Sequence, residues 1–153
     1  MLETKKRTLK KGPRAIRQDL KKKGIDKSLQ DEVLESFTYE EQLAIAMQLA
    51  EKEVRAGNRK TPTQVRQKIQ DVLMRKGYSF SIVSDVLERI QLEREEDEWA
   101  DMIAAQGEKI WRKFAAKFSG TERNMKVKQA LYQKGFPIEI INRFIEEKEH
   151  EEV

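Results

Sequence analysis

The sequence predicts an all-α protein made of tandem three-helix repeats stacked into an elongated, curved helical array. Three observations predict it. Charged residues make up 38% of the 153 residues, whereas only 7 are glycine and 3 are proline, so helix-forming residues dominate. A Lys-Gly-apolar triplet occurs three times. Apolar residues with helical spacing lie on both sides of each triplet.

In each copy a short helix is predicted to end at the glycine of the triplet. The triplets are Lys23-Gly24-Ile25, Lys76-Gly77-Tyr78 and Lys134-Gly135-Phe136. Apolar residues lie eight and four positions before each glycine, namely Ile16 and Leu20, Ile69 and Leu73, and Val127 and Leu131. A glycine can adopt the left-handed conformation that closes a helix, and the apolar residue after it then contacts the one four positions before it. We therefore expect three Schellman turns.

A second helix is predicted to begin directly after each turn. Its starting residue is Asp26, Ser79 or Pro137. An apolar stripe follows in each copy: Leu29, Val33, Leu34 and Phe37; Ile82, Val83, Val86, Leu87 and Ile90; and Ile140, Ile141, Phe144 and Ile145.

Longer helices are predicted ahead of the second and third copies, at about residues 39–57 and 95–118. Their apolar faces are Leu43, Met47, Ala50 and Val54, and Trp99, Ile103, Ile110, Trp111, Phe114 and Phe118. The predicted domains are a partial repeat at 1–38, a second repeat at 39–92, and a third repeat with an acidic tail at 93–153. Because only residues 1–11 precede Gly12-Pro13, we expect the chain to begin inside a module and to cover its apolar face by stacking.

These motifs resemble the RecX family of bacterial regulators of the RecA recombinase. Lys11-Gly12-Pro13, Ile16, Leu20 and Lys23-Gly24-Ile25 resemble the middle repeat of the family. Segments 39–44 (YEEQLA) and 73–78 (LMRKGY) resemble the repeat that follows in its Gram-positive form. Family members carry a further N-terminal region and an earlier repeat, so this chain resembles a fragment.

The resemblance implies a non-enzymatic regulator with no cofactor. Such a protein lies along the groove of the RecA filament on single-stranded DNA, touches neighbouring subunits, and inhibits recombinase and ATPase activity. It implies roles in DNA repair, homologous recombination and the SOS response. Single-stranded DNA is expected to be contacted through the filament, and a monomer is favoured.

Basic charge is concentrated at the N-terminal end. Residues 1–30 hold eleven Lys or Arg and three acids, whereas residues 31–153 hold twenty and twenty-four. Four of the basic residues share one face of the helix that begins near Pro13, about 100° from its apolar stripe. These are Lys10, Arg14, Arg17 and Lys21, and Lys11, Lys22 and Lys23 add to them. We expect this basic ridge to contact DNA phosphates or an acidic filament surface, although a merely solvated face remains the alternative.

Two other functions remain open. Two helices around a glycine turn resemble a helix-turn-helix, so a stand-alone DNA-binding module acting through the basic first repeat is the alternative. Its second helices, however, carry acids that phosphate would repel, such as Asp31, Glu35 and Asp85. A purely structural helical adaptor is the third possibility.

Other candidate sites are weaker. Trp99, Trp111, Phe114 and Phe118 could stack on bases, but core packing fits their common stripe better. His150 lies in the acidic tail 146–152, which we expect to be frayed rather than to hold a metal. The sequence has no cysteine and no apolar run long enough for a transmembrane helix, so a cytoplasmic protein without membrane contact is expected.

Overall fold

The structure, a computed structural model, describes residues 10–151, and these residues form eight α-helices without a strand. The prediction of an all-α helical repeat is confirmed. The helices are α1 (Pro13–Lys22), α2 (Lys27–Glu35), α3 (Tyr39–Ala56), α4 (Pro62–Arg75), α5 (Phe80–Arg89), α6 (Glu96–Ala115), α7 (Gly120–Gln133) and α8 (Ile138–Glu151).

All three predicted Schellman turns are confirmed. Gly24, Gly77 and Gly135 have φ values of 79°, 96° and 99°. The amide after each glycine donates to the carbonyl five positions earlier, with N···O distances of 3.1 Å for Ile25 to Leu20, 3.1 Å for Tyr78 to Leu73 and 3.3 Å for Phe136 to Leu131. The side chains of Asp26 and Ser79 cap the next helices by accepting from the amides of Leu29 and Ile82. Each turn therefore joins two helices as the spacing predicts.

The described residues form two compact units, whose bounds differ from simple repeat boundaries. The first comprises residues up to Ala56 together with Arg66–Gln91, and the second comprises Gly57–Val65 together with the residues from Leu92 onward. In the first unit α1 packs on α2, and α3 packs on α5. In the second unit α6, α7 and α8 each pack on the other two.

In the first unit, the chain ahead of α1 docks on the Schellman turn that ends α4. The amide of Gly12 donates to the carbonyl of Lys76 at 2.7 Å, and the amide of Arg14 donates to that of Gly77 at 3.1 Å. The buried hydroxyl of Tyr78 donates to the carbonyl of Lys10 at 2.9 Å. A Cβ on Gly12 would lie 2.5 Å from the carbonyl carbon of Gly77, so glycine is required for this close approach.

The second unit repeats this arrangement at the turn that ends α7. The buried Thr61, which precedes α4, donates its hydroxyl to the carbonyl of Lys134. A Cβ on Gly135 would lie 2.5 Å from the Cβ of Thr63. Within each unit, therefore, a helix start packs against a Lys-Gly turn located further along the chain.

Two predictions about apolar faces are corrected. The fully buried side of α3 consists of Ala46, Leu49 and Ala50, whereas Leu43, Met47 and Val54 are only half-buried. α3 packs on α5, and its buried face is turned relative to the predicted stripe. Leu29 is 47% exposed although it was predicted in a buried stripe, because no helix in residues 10–151 covers α2 as α3 covers α5.

The core of the second unit contains the aromatic residues of α6. Trp111 is buried, and Trp99 and Phe114 pack against the same cluster. Trp99 contacts Phe136, and Trp111 contacts Phe144, both edge to face. The expectation of core packing is confirmed for these three residues; Phe118 is half-buried beside Phe114.

The expectation of a frayed acidic tail is wrong for residues 146–151, which continue α8 as far as Glu151; Glu152 lies outside the described residues. The ammonium group of Lys148 on α8 donates to the carboxylate of Glu108 on α6. This contact joins the last turns of α8 to α6, and the residues of the tail alone do not indicate it.

We predict that the Glu108 contact makes stability depend on acid pH. The hydrogen bond from Lys148 lowers the pKa of Glu108 below its ordinary value of 4.5. The unfolded chain therefore takes up the proton first, so the stabilisation is complete above that value and is lost as the pH falls through the folded-state pKa. Glu108→Gln should lower the urea midpoint at neutral pH, and the difference from the parent should vanish at acid pH. Circular dichroism measures both midpoints.

The exposed Glu147 provides the control, since Glu147→Gln makes the same change on α8 at a position that forms no ion pair with another of residues 10–151. A Glu108→Gln deficit that persists unchanged in acid would contradict this account of the contact.

Candidate partner interface

The basic residues near the N-terminus fall on two faces of α1. Arg14 and Lys21 are exposed on the predicted ridge, and Lys22 and Lys23 are exposed at the helix end. Lys10 is half-buried, and its carbonyl is held by Tyr78.

Arg17 lies on the ridge but is engaged by α2. Its guanidinium donates to the carboxylate of Asp31 at 2.8 Å and to the side-chain oxygen of Gln30 at 3.2 Å. Gln30 is itself buried and donates to the carbonyl of Ile25 at 2.7 Å. Part of the charge of the ridge is thus neutralised within the first unit, and Arg17 has a structural contact of its own.

The other basic face of α1 forms one wall of a groove of about 620 Å³. The opposite wall is α4, and Glu53 of α3 also lines the groove. Five basic and two acidic side chains line it, which leaves an excess of three positive charges. The basic residues are Lys11, Lys22, Lys68, Arg75 and Lys76. We call this the basic groove.

Within the basic groove, Lys11 forms an ion pair with Asp19 at 2.8 Å. Lys22, Lys68 and Arg75 are exposed to solvent, so their charges are available to a ligand from outside. No aromatic ring lines the groove among the described residues. Such a surface attracts phosphate or carboxylate groups through charge and offers no platform for base stacking.

Sequence reasoning missed Lys68, Arg75 and Lys76. The positions of the second copy that correspond to Arg14, Arg17 and Lys21 of the ridge are Gln67, Gln70 and Met74, none of which is basic. Lys68 and Arg75 lie seven positions apart and so share a neighbouring face of α4. That spacing was a usable signal. Only the docking of Gly12 on the Gly77 turn, however, brings this face opposite α1.

Among residues 10–151 the structure shows no helix able to cross a membrane, and no cluster of three or more His, Asp or Glu residues that could hold a metal ion.

Two models of protein-family domains match this chain and show the family to which it belongs. The family model described as the third three-helix domain of RecX matches twice, at residues 40–87 and 96–145. The model described as the second three-helix domain of RecX matches residues 1–34. This chain belongs to the RecX family. The two matches to one model also show that the modules around Gly77 and Gly135 are copies of one RecX domain.

Curated relatives named regulatory protein RecX are similar over nearly all of this chain. Those of Bacillus licheniformis, Bacillus subtilis and Enterococcus faecalis are 35%, 34% and 37% identical over 96%, 97% and 98% of it. The chain covers 56% of each relative, so it spans a little over half of their length. No solved structure matches it.

Proposed function

We propose that this RecX chain is a non-enzymatic regulator that binds the RecA filament on single-stranded DNA and inhibits its recombinase and ATPase activity. The observation that carries the proposal is the basic groove in the first unit of a RecX-family protein. A RecA filament on DNA combines protein subunits with a phosphate backbone. A basic surface on a helical module suits such a polyanionic assembly.

The residues that we propose for binding include all those of the basic ridge and basic groove. Lys22 and Lys68 are exposed on opposite walls of the groove, and Arg14 and Lys21 are exposed on the ridge. Lys10, Lys11, Arg17 and Lys23 add positive charge around them, although Lys11 and Arg17 are partly neutralised by ion pairs. The groove should therefore contribute more to binding than the ridge.

The alternative, a stand-alone DNA-binding module, is favoured by the same basic charge but opposed by the second helices. In a helix-turn-helix the second helix would contact the bases. Here Asp31 on α2 binds Arg17, and Asp85 on α5 accepts a hydrogen bond from Tyr39, so both second helices carry acids that take part in contacts of the fold. Tight, sequence-specific binding of duplex DNA without RecA would support this alternative.

The deciding experiment measures RecA ATP hydrolysis on single-stranded DNA while the chain is titrated. We expect the hydrolysis rate to fall as the chain is added. A pull-down should recover the chain with RecA assembled on single-stranded DNA and much less with unassembled RecA. Unchanged hydrolysis together with no recovery on the filament would reject the proposed function.

A further inference from the structure

Large apolar side chains are exposed at equivalent positions of the two complete RecX domains. The first position lies three residues before the turn glycine and is Met74 or Tyr132. The amide of Gly77 donates to the carbonyl of Met74, and the amide of Gly135 donates to the carbonyl of Tyr132. The second is the first residue of the next helix, Phe80 or Ile138. Their exposed fractions are 37% and 64% for Met74 and Tyr132, and 70% and 42% for Phe80 and Ile138.

The fold does not require apolar residues at these positions. In the first copy they are Lys21 and Lys27, which are exposed around a turn of the same geometry. An exposed phenylalanine gains nothing from the core, and clustered exposed apolar side chains mark interaction sites. The recurrence of such pairs in both complete domains therefore needs an explanation outside the folding of the chain.

In the third copy the pair lines a groove of about 700 Å³ between α7 and the start of α8. Met125, which is 66% exposed, lies two helical turns before Tyr132 and adds to the apolar floor. Lys126 and Lys128 border it, against the single acid Glu122. In the second copy Arg75 and Lys76 directly follow Met74. Lysines thus border the Tyr132–Ile138 pair in space, and Met74 is next to two basic residues along the chain.

This chemistry favours a protein partner over nucleic acid. In the second copy the aromatic ring is at the second position, where Phe80 is paired with Met74. In the third copy it is at the first position, where Tyr132 is paired with Ile138. Bases stack on rings, so a base-stacking site would keep its ring in one place. What the two copies share is apolar character beside lysine or arginine, which fits an apolar side chain flanked by carboxylates.

We infer that the Met74–Phe80 and Tyr132–Ile138 pairs are two equivalent docking sites, each of which takes an apolar side chain flanked by carboxylates from a partner protein. Two copies of one site suit a partner that presents the same element repeatedly, because the second contact then forms at a high effective concentration. This inference deepens the proposed function, since RecA subunits in a filament would be that repeated surface.

The first test is independent of RecA. The probe is a synthetic peptide in which one phenylalanine is flanked by two carboxylates on each side, and the readout is the amide NMR spectrum of the full chain. We expect saturable shifts around Met74, Phe80, Tyr132 and Ile138. Peptides in which alanine replaces the phenylalanine, or amides replace the carboxylates, should bind at least tenfold more weakly. No shifts at these residues would overturn the inference whatever RecA does.

The second test introduces the lysines of the first copy. Met74→Lys with Phe80→Lys, and Tyr132→Lys with Ile138→Lys, remove the apolar side chains while keeping the attraction to carboxylates. Each pair should abolish the peptide-induced shifts around its own site while those around the other site persist, and should weaken RecA-filament co-sedimentation at least tenfold. All four substitutions together should weaken co-sedimentation further. Gln133→Lys with Asn142→Lys, both exposed, adds the same charge to the third copy and should change neither the shifts nor co-sedimentation.

The remaining outcomes are separable. Binding of the peptide at these sites, with unchanged RecA ATP hydrolysis and no recovery on RecA filaments, would reject the proposed function and support the docking sites. Full filament binding by the four-lysine variant would overturn the inference alone. Shifts of the same amides by oligothymidine or by anionic phosphatidylglycerol vesicles, with none by the peptide, would assign the surface to nucleic acid or lipid and overturn it as well.

Discussion

Gly77→Ala is expected to destabilise the first unit by about 2–5 kcal/mol. About 1–2 kcal/mol comes from placing a Cβ on left-handed backbone, and the rest comes from overpacking. The φ of Gly77 is 96°, and an added Cβ would lie 2.5 Å from the backbone nitrogen of Ala15. Since that atom belongs to the backbone at the start of α1, it cannot move aside without undoing the docking.

Gly24→Ala is the matched control. Gly24 has nearly the same conformation, with φ of 79°, but no described atom lies within 4 Å of the Cβ position. Only the conformational cost of about 1–2 kcal/mol should remain. Urea unfolding followed by circular dichroism gives both free energies, and the difference between them measures the close approach of Gly77 to Ala15.

A second readout separates lost docking from general unfolding. The amides of Gly12 and Arg14 donate to the carbonyls of Lys76 and Gly77, so both should exchange slowly in the parent. Their protection should fall in Gly77→Ala and persist in Gly24→Ala. Equal destabilisation by the two substitutions, with protection retained in both, would show that the docking of Gly12 on this turn contributes little.

Local features of the fold could be predicted from sequence. Each Schellman turn depends on residues within a few positions of its glycine, so the spacing of Leu73, Gly77 and Tyr78 was sufficient. Ser79 likewise caps α5 through an amide only three positions away. These short-range rules predicted the turns and helix starts of all three copies.

Contacts between distant segments could not be predicted in the same way. In the sequence Gly12 is a break before a proline, and nothing nearby indicates that its amide donates to Lys76, 64 positions away. The basic groove depends on this contact, so sequence identified Lys11 and Lys22 on one wall but not Lys68 on the other. The exposure of Leu29 was missed for a related reason, because burial of an apolar stripe requires a partner helix.

The structure also changes which basic residues should be substituted. From the sequence alone, Arg14→Glu with Arg17→Glu would be the natural test of the ridge, because both arginines lie on it. Arg17, however, holds Asp31 and Gln30 on α2, so its reversal would place two carboxylates together and disturb the α1–α2 pair. Arg14 and Lys21 are exposed, with no side-chain partner among the contacts described above, and are the better probes of the ridge.

Reversal of charge in the basic groove is expected to have the largest effect on binding. Lys68→Glu with Arg75→Glu turns the groove from an excess of three positive charges to an excess of one negative charge. We expect affinity for oligothymidine to fall at least tenfold, and inhibition of RecA ATP hydrolysis to fall with it. Arg14→Glu with Lys21→Glu makes the same change on the ridge and should have a smaller effect.

The salt dependence of oligothymidine binding tests the cause of that loss. Each phosphate contact contributes about 0.7 to the slope of log affinity against log salt on a single strand, so the groove variant should lose roughly 1.4 of it. Lys52→Glu with Arg55→Glu is the control for net charge, because both residues are exposed on α3 of the same unit and neither lines the groove. A specific site requires the loss of oligothymidine affinity to depend on where the charge is reversed. If the control on α3 weakens oligothymidine binding as much as the groove variant does, the affinity depends on the net charge of the chain and the basic groove is not the binding site.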